Sequence, residues 1–360
     1  MASISVESPY SQAPLDLTGS TFRLVELQPC GPTDLIKCRL TTHPLPPDCP
    51  PFVALSYMWD HTSPKDTIEL NGMPFSVGHS LWTFLDEMRS RGRFRTYWID
   101  AICIDQSNIY ERNHQVQLMK DIYSEAESVS IWLGPVEEGS LCIEAMEFLR
   151  DLETWPNGKA FTTLSYGDLG VEHQTIIDLC QNKYWERMWI FQEVVLARVA
   201  TICFGPWTIR FDAFHSIILN THPRFRDNEV GLSFVGDLIM FIELRRGQAV
   251  HLYLAIRYCR TRKVTDIRDR IYGLFGISET RVSTIGVDYQ IEPMDLWKKV
   301  LAYICQKELA SHSTYPPPPA LVGEQLAEAL ELDISAETIR EFIETHYALY
   351  GKPSWMASRP

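Results

Sequence analysis

The chain has 360 residues, 45% hydrophobic and 11% aromatic, with a formal net charge of −13. That is a globular composition, long enough to bury a large core in one big domain or two. The acidic balance argues against nonspecific binding to nucleic acid or an anionic membrane, where Lys/Arg excess supplies the affinity. No apolar run reaches the ~18 residues that span a bilayer. The N-terminus lacks the basic flank and apolar core of a signal peptide. The nine cysteines include no C-x-x-C pair, which points to reduced thiols in a cytoplasmic protein and against a zinc site.

Residues 1–21 are polar and Pro-containing and read as a flexible N-terminus. Phe22 to Gln28 alternates and reads as an edge strand, with Ile36 to Leu40 as its partner. His43 to Pro51 holds five prolines in nine residues and must be a loop. Phe52 to Tyr57 is a buried strand. Thr67 to Leu70 and Met73 to Val77 flank Asn71-Gly72, the strongest short hairpin signal. Ser80 to Arg89 is an amphipathic helix with Leu81, Phe84, Leu85 and Met88 on one face. Arg89, Arg91, Arg93 and Arg95 follow as a solvated turn.

Tyr97 to Ile104 is an apolar run too short for a buried helix and reads as a strand. Ser107 then caps a helix in which Val116, Met119, Ile122, Tyr123 and Ala126 recur at steps of three and four. Glu111 and Arg112 at its start read as a structural ion pair. Ser128 to Leu133 is the next strand, closed by Gly134-Pro135. Strand, helix, strand at this length is the unit of a parallel sheet buried on both faces. The ligand crevice of such a sheet lies beyond the carboxyl ends of its strands. Asp100, Asp105 and Gln106 fall there, although their residue types equally suit a turn and a helix cap.

Glu137 to Leu152, Val171 to Asn182 and Glu186 to Ala197 read as helices. Ala200 to Phe204 reads as a strand with Thr208 to Phe211 as hairpin partner. The rest is mostly helical: Phe211 to Asn220, Gly231 to Arg246, His251 to Cys259, Asp269 to Ile277, Met294 to Glu308 and Glu324 to Tyr350. Ser311 to Pro319 ends in four consecutive prolines and reads as a linker. The expected organisation is a flexible N-terminus (1–21), an α/β domain (22–205), a helical extension (206–310), and a Pro-rich linker with a helical tail (311–360).

The sharpest candidate for chemistry is Trp189-Ile190-Phe191-Gln192-Glu193, because residues four apart share a helix face. Two readings stand. Trp189 is core and Glu193 pairs with Arg187, Arg198 or another surface cation; or the two face outward, toward a ligand or an oligomerisation partner. Cys103 lies between Asp100 and Asp105, but its apolar run and the lack of a nearby His make it a buried thiol. Gly-rich phosphate loops and metal-ligand spacings are absent.

Three blocks in this order carry a resemblance. Phe52 to Trp59 (FVALSYMW), the stretch WIDAICIDQSNIYERNHQVQLMKDIYSEAESVSIWLG, and Arg187 to Ala197 (RMWIFQEVVLA) are similar to the fungal heterokaryon-incompatibility (HET) domain. Arg268 to Gly276 resembles a segment common downstream, so the matches run from about residue 22 to 277. The first block of the family usually ends in Trp-Gly, whereas Asp60 follows Trp59 here. Pro353-Ser354-Trp355 resembles a motif after which such proteins commonly continue. The resemblance implies fungal self/non-self recognition and programmed cell death, with self-association and a recognition partner protein.

The HET family is in turn distantly similar to TIR domains. That implies a flavodoxin-like parallel sheet carrying β-hairpin insertions and a helical C-terminal portion. In TIR enzymes that cleave NAD, a glutamate in Trp-x-x-x-Glu is the catalytic carboxylate, and the first strand ends in Ser-Tyr, as Ser56-Tyr57 does here. Carried over, Glu193 stabilises a ribosyl cation while the N-glycosidic bond of NAD or a related nucleotide is hydrolysed. Ser56, Tyr57, Trp59, Asp100, Asp105, Gln106, Arg187 and Trp189 then bind substrate, with no metal and with NAD as substrate rather than cofactor. Two alternatives are a non-catalytic death-signalling module acting by self-association, and a HET-like fold recruited to secondary metabolism.

Overall fold

A computed structural model describes residues 8–60, 65–136, 147, 179–216, 233–245, 250–278, 285–309 and 317–351. In chain order these form α1 (Pro9–Gln12), β1 (Thr21–Gln28), β2 (Lys37–Pro44), β3 (Val53–Tyr57), β4 (Lys65–Leu70), β5 (Met73–Gly78), α2 (His79–Ser90), β6 (Thr96–Trp98), α3 (Asp100–Cys103), α4 (Ile109–Glu125) and β7 (Ser128–Trp132). A 3-10 turn (Lys183–Glu186), α5 (Ile190–Val195), β8 (Ala200–Phe204), β9 (Trp207–Arg210) and α6 (Ser233–Arg245) follow. Then come α7 (Leu252–Cys259), α8 (Asp269–Tyr272), α9 (Pro293–Tyr303), which continues as a π-turn (Ile304–Glu308), α10 (Pro319–Ala329) and α11 (Ala336–Tyr350). The chain divides into two compact units, one of residues 1–186 with 196–240, the other of residues 187–195 with 241–360.

The first unit holds one nine-stranded mixed sheet in the order β5-β4-β2-β1-β6-β3-β7-β8-β9. Its centre, β6-β3-β7-β8, is parallel. The β1–β2, β4–β5 and β8–β9 pairs are antiparallel hairpin arms that extend the same sheet. All five residues of β3 are buried, as a strand covered on both faces requires. Alternation along neighbouring strands shows how the covering is divided. Tyr97 and Trp132 meet Phe84 of α2, at ring separations of 5.5 and 5.6 Å. Trp98, on the opposite face, meets Tyr123 of α4 at 5.2 Å. The helix faces read from spacing are the buried ones: Leu81, Phe84, Leu85 and Met88 in α2, and Val116, Met119, Ile122 and Tyr123 in α4.

The Asn71-Gly72 turn forms as expected, with φ of 50° and 79°. Positive φ at both positions is the type I′ geometry whose twist suits a two-residue hairpin, and Gly72 adopts it without a Cβ penalty. The Asn71 amide also exchanges hydrogen bonds with the backbone of Leu40, which ties the hairpin tip to β2.

Several expectations are corrected. Phe22 to Gln28 is not an edge strand, because β1 lies between β2 and β6. Its polar position, Arg23, is 1% exposed and pairs with Glu111. The partner of Glu111 is therefore a residue 88 positions away, not only a neighbour in its own helix. Tyr97 to Ile104 is not one strand. β6 ends at Trp98, and Asp100–Cys103 makes a single helical turn. Ile102, Cys103 and Ile104 are apolar because they are buried, not because they are extended. The cap of α4 is Asn108, whose side chain accepts from Tyr110 and Glu111 N–H. Ser107 instead donates to Asp105 from both its N–H and its hydroxyl.

The second unit is helical in its named elements. The expected helix Glu186 to Ala197 is shortened to α5, because Met188 N–H bonds the Lys263 carbonyl and Arg187 bridges to Lys263. Glu324 to Tyr350 is two helices. Leu332 N–H bonds back to the Ala327 carbonyl and Glu331 takes φ of 52°, which ends α10. Pro319 starts that helix, where its missing N–H costs nothing. Trp297 anchors the packing, donating to the Gly323 carbonyl at 3.0 Å and meeting Phe342 at 5.3 Å. The expected helices Glu137 to Leu152 and Val171 to Asn182 lie almost entirely outside the described residues.

Candidate functional site

A cleft of about 300 Å³ opens at the carboxyl ends of β3 and β6. β3 contributes Tyr57, its last residue, then Trp59 and Asp60. The chain leaving β6 contributes Ala101, Asp105, Gln106 and Ser107. The β4–β5 hairpin closes a side with Lys65 and Phe75. The crossover of parallel strands puts these segments together: β3 and β6 run side by side in one direction and so release their chains at the same rim.

Asp100 is not among the residues that line the cleft, but it holds those that do. The indole N–H of Trp59 donates to both oxygens of Asp100, at 3.1 and 3.0 Å. Asp100 also accepts from Ala101 N–H at 2.8 Å, and Gln106 Nε2 donates to its carbonyl at 3.1 Å. Asp100 therefore orients a ring and a turn. The backbone N–H of Asp105 donates to Glu111 Oε1 at 2.6 Å, which roots the Asp105-Gln106 turn in the buried Arg23–Glu111 pair.

Sequence reasoning missed Tyr10, which also lines the cleft. Its hydroxyl donates to the Ile104 carbonyl at 3.2 Å, its ring meets Phe75 edge-on at 6.2 Å, and the Arg23 guanidinium lies 4.7 Å over it. Burial, with the nearby charge of Asp105, holds the Tyr10 phenol well above its ordinary range, so it is a neutral donor. No local signal marks this residue, since the segment around it is polar and short. Phe75 lies on the apolar side of β5 with Met73 and Val77, opposite Ile68, so alternation alone reads it as core.

The other candidates lie elsewhere. Ser56 does not line the cleft; its hydroxyl sits 2.5 Å from the Tyr184 hydroxyl in a buried pair. Arg187, Trp189 and Glu193 belong to the second unit. There Ile190, Phe191, Gln192, Glu193 and Val194 are all buried, while Trp189 is half-buried. The Glu193 carboxylate, 1% exposed, accepts from both terminal nitrogens of Arg187 at 3.1 and 3.2 Å. Phe191 carries the Arg262 guanidinium 4.7 Å over its ring. Gln192 packs closely on Gly276: a Cβ there would lie 2.8 Å from the Gln192 amide carbon, so any larger residue would displace that side chain.

Cys103 is fully buried, and burial pushes its thiol up to about 12. It therefore stays protonated at neutral pH and is no nucleophile. Brief treatment of native protein with a thiol reagent at pH 8, read by peptide mass spectrometry, is expected to label Cys103 on the order of a thousandfold more slowly than an ordinary exposed thiol. Labelling at the rate of Cys30, which is half-buried, would show that the site is open.

Among the described residues, no group of three or more His, Cys, Asp and Glu is placed to hold a metal. Also among them, no helix is long and apolar enough to cross a membrane.

Comparison with known proteins places this geometry. Residues 52–193 match the family model described as Heterokaryon incompatibility protein (HET). That span opens at β3, covers the cleft's two strand ends and closes on Glu193. Over 145 residues the chain is 35% identical to Heterokaryon incompatibility protein 6, OR allele, of Neurospora crassa. The matched stretch is 36% of this chain and 21% of that relative, so the chain spans about a fifth of its length. No solved structure matches. The family match and the relative agree on one likeness: residues 52–193 are similar to the heterokaryon-incompatibility domain.

Proposed function

We propose that this chain acts in fungal self/non-self recognition and cell death, in the cytoplasm, and that it binds a nucleotide, NAD or a relative, in the cleft at the ends of β3 and β6. The observation that carries the reading is the convergence of Tyr57, Trp59, Asp105 and Gln106 on one cleft, with Asp100 fixing Trp59. The incompatibility role is supported by the family match and by the Neurospora relative. Taken by their order along the chain, the four parallel strands lie second, first, third, fourth across the sheet. That order supports a flavodoxin-like, TIR-like core; its reversal falls between β3 and β7, so the cleft at β3 and β6 adjoins the reversal at β3 alone.

The TIR likeness supports a reaction as well: hydrolysis of the N-glycosidic bond, with Glu193 stabilising the ribosyl cation. The bidentate grip of Arg187 on the buried Glu193 favours a second reading. In it the protein is a non-catalytic death-signalling module acting by self-association, and the bound nucleotide is a regulator.

The test is titration of purified protein with NAD, followed by tryptophan fluorescence, with nicotinamide release measured in parallel. NAD is expected to bind, and Trp59→Ala to weaken binding tenfold or more, since base stacking carries about 1–3 kcal/mol. Release by wild type but not by Glu193→Gln establishes the hydrolytic reading. Binding without release, in concentrated and self-assembled samples alike, establishes the regulatory one. Absence of binding overturns both.

A further inference from the structure

The size, rings and charges of the cleft point to a narrower ligand class, and this inference rests on the nucleotide-binding reading above. At about 300 Å³, the cleft stands at the bottom of the ~300–1,000 Å³ range of small-ligand sites. That matches the size of one nucleoside more closely than that of a whole dinucleotide. Its apolar walls are flat: Tyr57 and Trp59 come from the strand end, Phe75 from the hairpin and Tyr10 from the N-terminal turn. Rings of this kind receive a planar base, and their faces also attract a cationic one.

The polar lining is acidic. Among the described residues, the charged side chains at the cleft are Asp60, Asp105 and Lys65, and Asp100 stands behind the Trp59 indole. Phosphate is ordinarily met by Arg forks, by Lys, by runs of backbone N–H groups or by a helix N-terminus, and the cation at the cleft, Lys65, is outnumbered there by Asp60 and Asp105. Here the Asp105 N–H is already taken by Glu111. The N–H of Ser107 is spent on Asp105 Oδ1. The Asn108 side chain occupies the first N–H groups of α4. Carboxylates and a primary amide suit a different partner, because they accept from and donate to the vicinal hydroxyls of a ribose.

We propose that the cleft binds the nucleoside end of its ligand, a neutral or cationic ring with its ribose hydroxyls, and keeps phosphate groups outside. Asp105, aimed by Ser107 and held from behind by Glu111, is the residue that selects for hydroxyls and against phosphate. Removing its charge therefore lets a phosphorylated ligand gain on an unphosphorylated one.

The experiment compares two nucleosides with their own 5′-monophosphates: nicotinamide riboside against nicotinamide mononucleotide, and adenosine against AMP. Binding to the full chain is read by calorimetry. In at least one pair the nucleoside is expected to bind tenfold or more tightly than its monophosphate at low salt, and Asp105→Asn to shrink that gap at least threefold. Circular dichroism of the variant confirms that it folds. Adenosine and AMP binding equally, together with a riboside no tighter than its mononucleotide, overturns the inference and leaves nucleotide binding standing. Tighter monophosphates in both pairs do the same. If none of the four probes and no NAD binds, the nucleotide reading falls with it. A nucleoside preference unchanged in Asp105→Asn removes the role of that residue and with it the stated mechanism.

Discussion

Arg23→Met is expected to lower the free energy of unfolding by about 3–5 kcal/mol, the usual cost of removing one partner from a buried ion pair. Arg23 is 1% exposed and Glu111 is 5% exposed. The guanidinium makes a bidentate pair with Glu111, at 2.5 and 3.0 Å, and also donates to the Ala13 and Cys103 carbonyls at 2.6 and 3.0 Å. Truncation strands a carboxylate and two carbonyls out of water in one step. Urea unfolding followed by tryptophan fluorescence measures the loss. The double variant Arg23→Met, Glu111→Leu removes the charge imbalance and is expected to recover part of it. Recovery stays incomplete, because Ala13, Cys103 and the N–H of Asp105 still lack partners, at about 1–3 kcal/mol each. A single variant within about 1 kcal/mol of wild type would mean that water reaches this pair. The same substitution bears on the cleft, since Arg23 also seats Tyr10 and, through Glu111, the Asp105 turn.

Where a local rule and the tertiary environment agree, the sequence was readable. The Asn71-Gly72 turn, the apolar faces of α2 and α4, and the strands β7 and β8 follow from spacing alone, because each needs only its own residues to declare a period. The cleft was half readable. Asp105 and Gln106 follow from the rule that parallel strands deliver their carboxyl ends to one rim, which needs only strand order; Tyr57 and Trp59 came with the family resemblance. Tyr10 was hidden, because its place depends on the buried Arg23, whose guanidinium lies over its ring. Arg23 was hidden in turn by an alternation that treats every polar residue as solvent-facing. A buried pair separated by 88 positions leaves no periodic trace. The run Tyr97 to Ile104 failed for a related reason. Its hydrophobicity reports burial, and a strand and a single helical turn bury equally well; the choice was made by Asp100, which accepts from Trp59 and closes the turn.

The Trp189 to Glu193 turn poses the question that spacing could not answer, and stability measurements can. Arg187 is 15% exposed and Glu193 is 1% exposed, so the two ends of the pair are unequal. Arg187→Met removes the guanidinium from a carboxylate that has no route to water, and is expected to cost about 3–5 kcal/mol. Glu193→Gln keeps the shape and leaves the charge on the more exposed partner, and is expected to cost less, about 1–3 kcal/mol. A coupling energy well above 1 kcal/mol in the double-mutant cycle identifies the pair as part of the fold of the second unit. The opposite result is equally informative. A carboxylate kept for chemistry is held against the stability of the protein, so its removal stabilises. If Glu193→Gln raises the urea midpoint while nicotinamide release from NAD is lost, the Arg187 pair is a latch on a reacting group. If it lowers the midpoint and leaves ligand binding and nicotinamide release unchanged, the glutamate is a structural ion, and the hydrolytic reading loses its carboxylate.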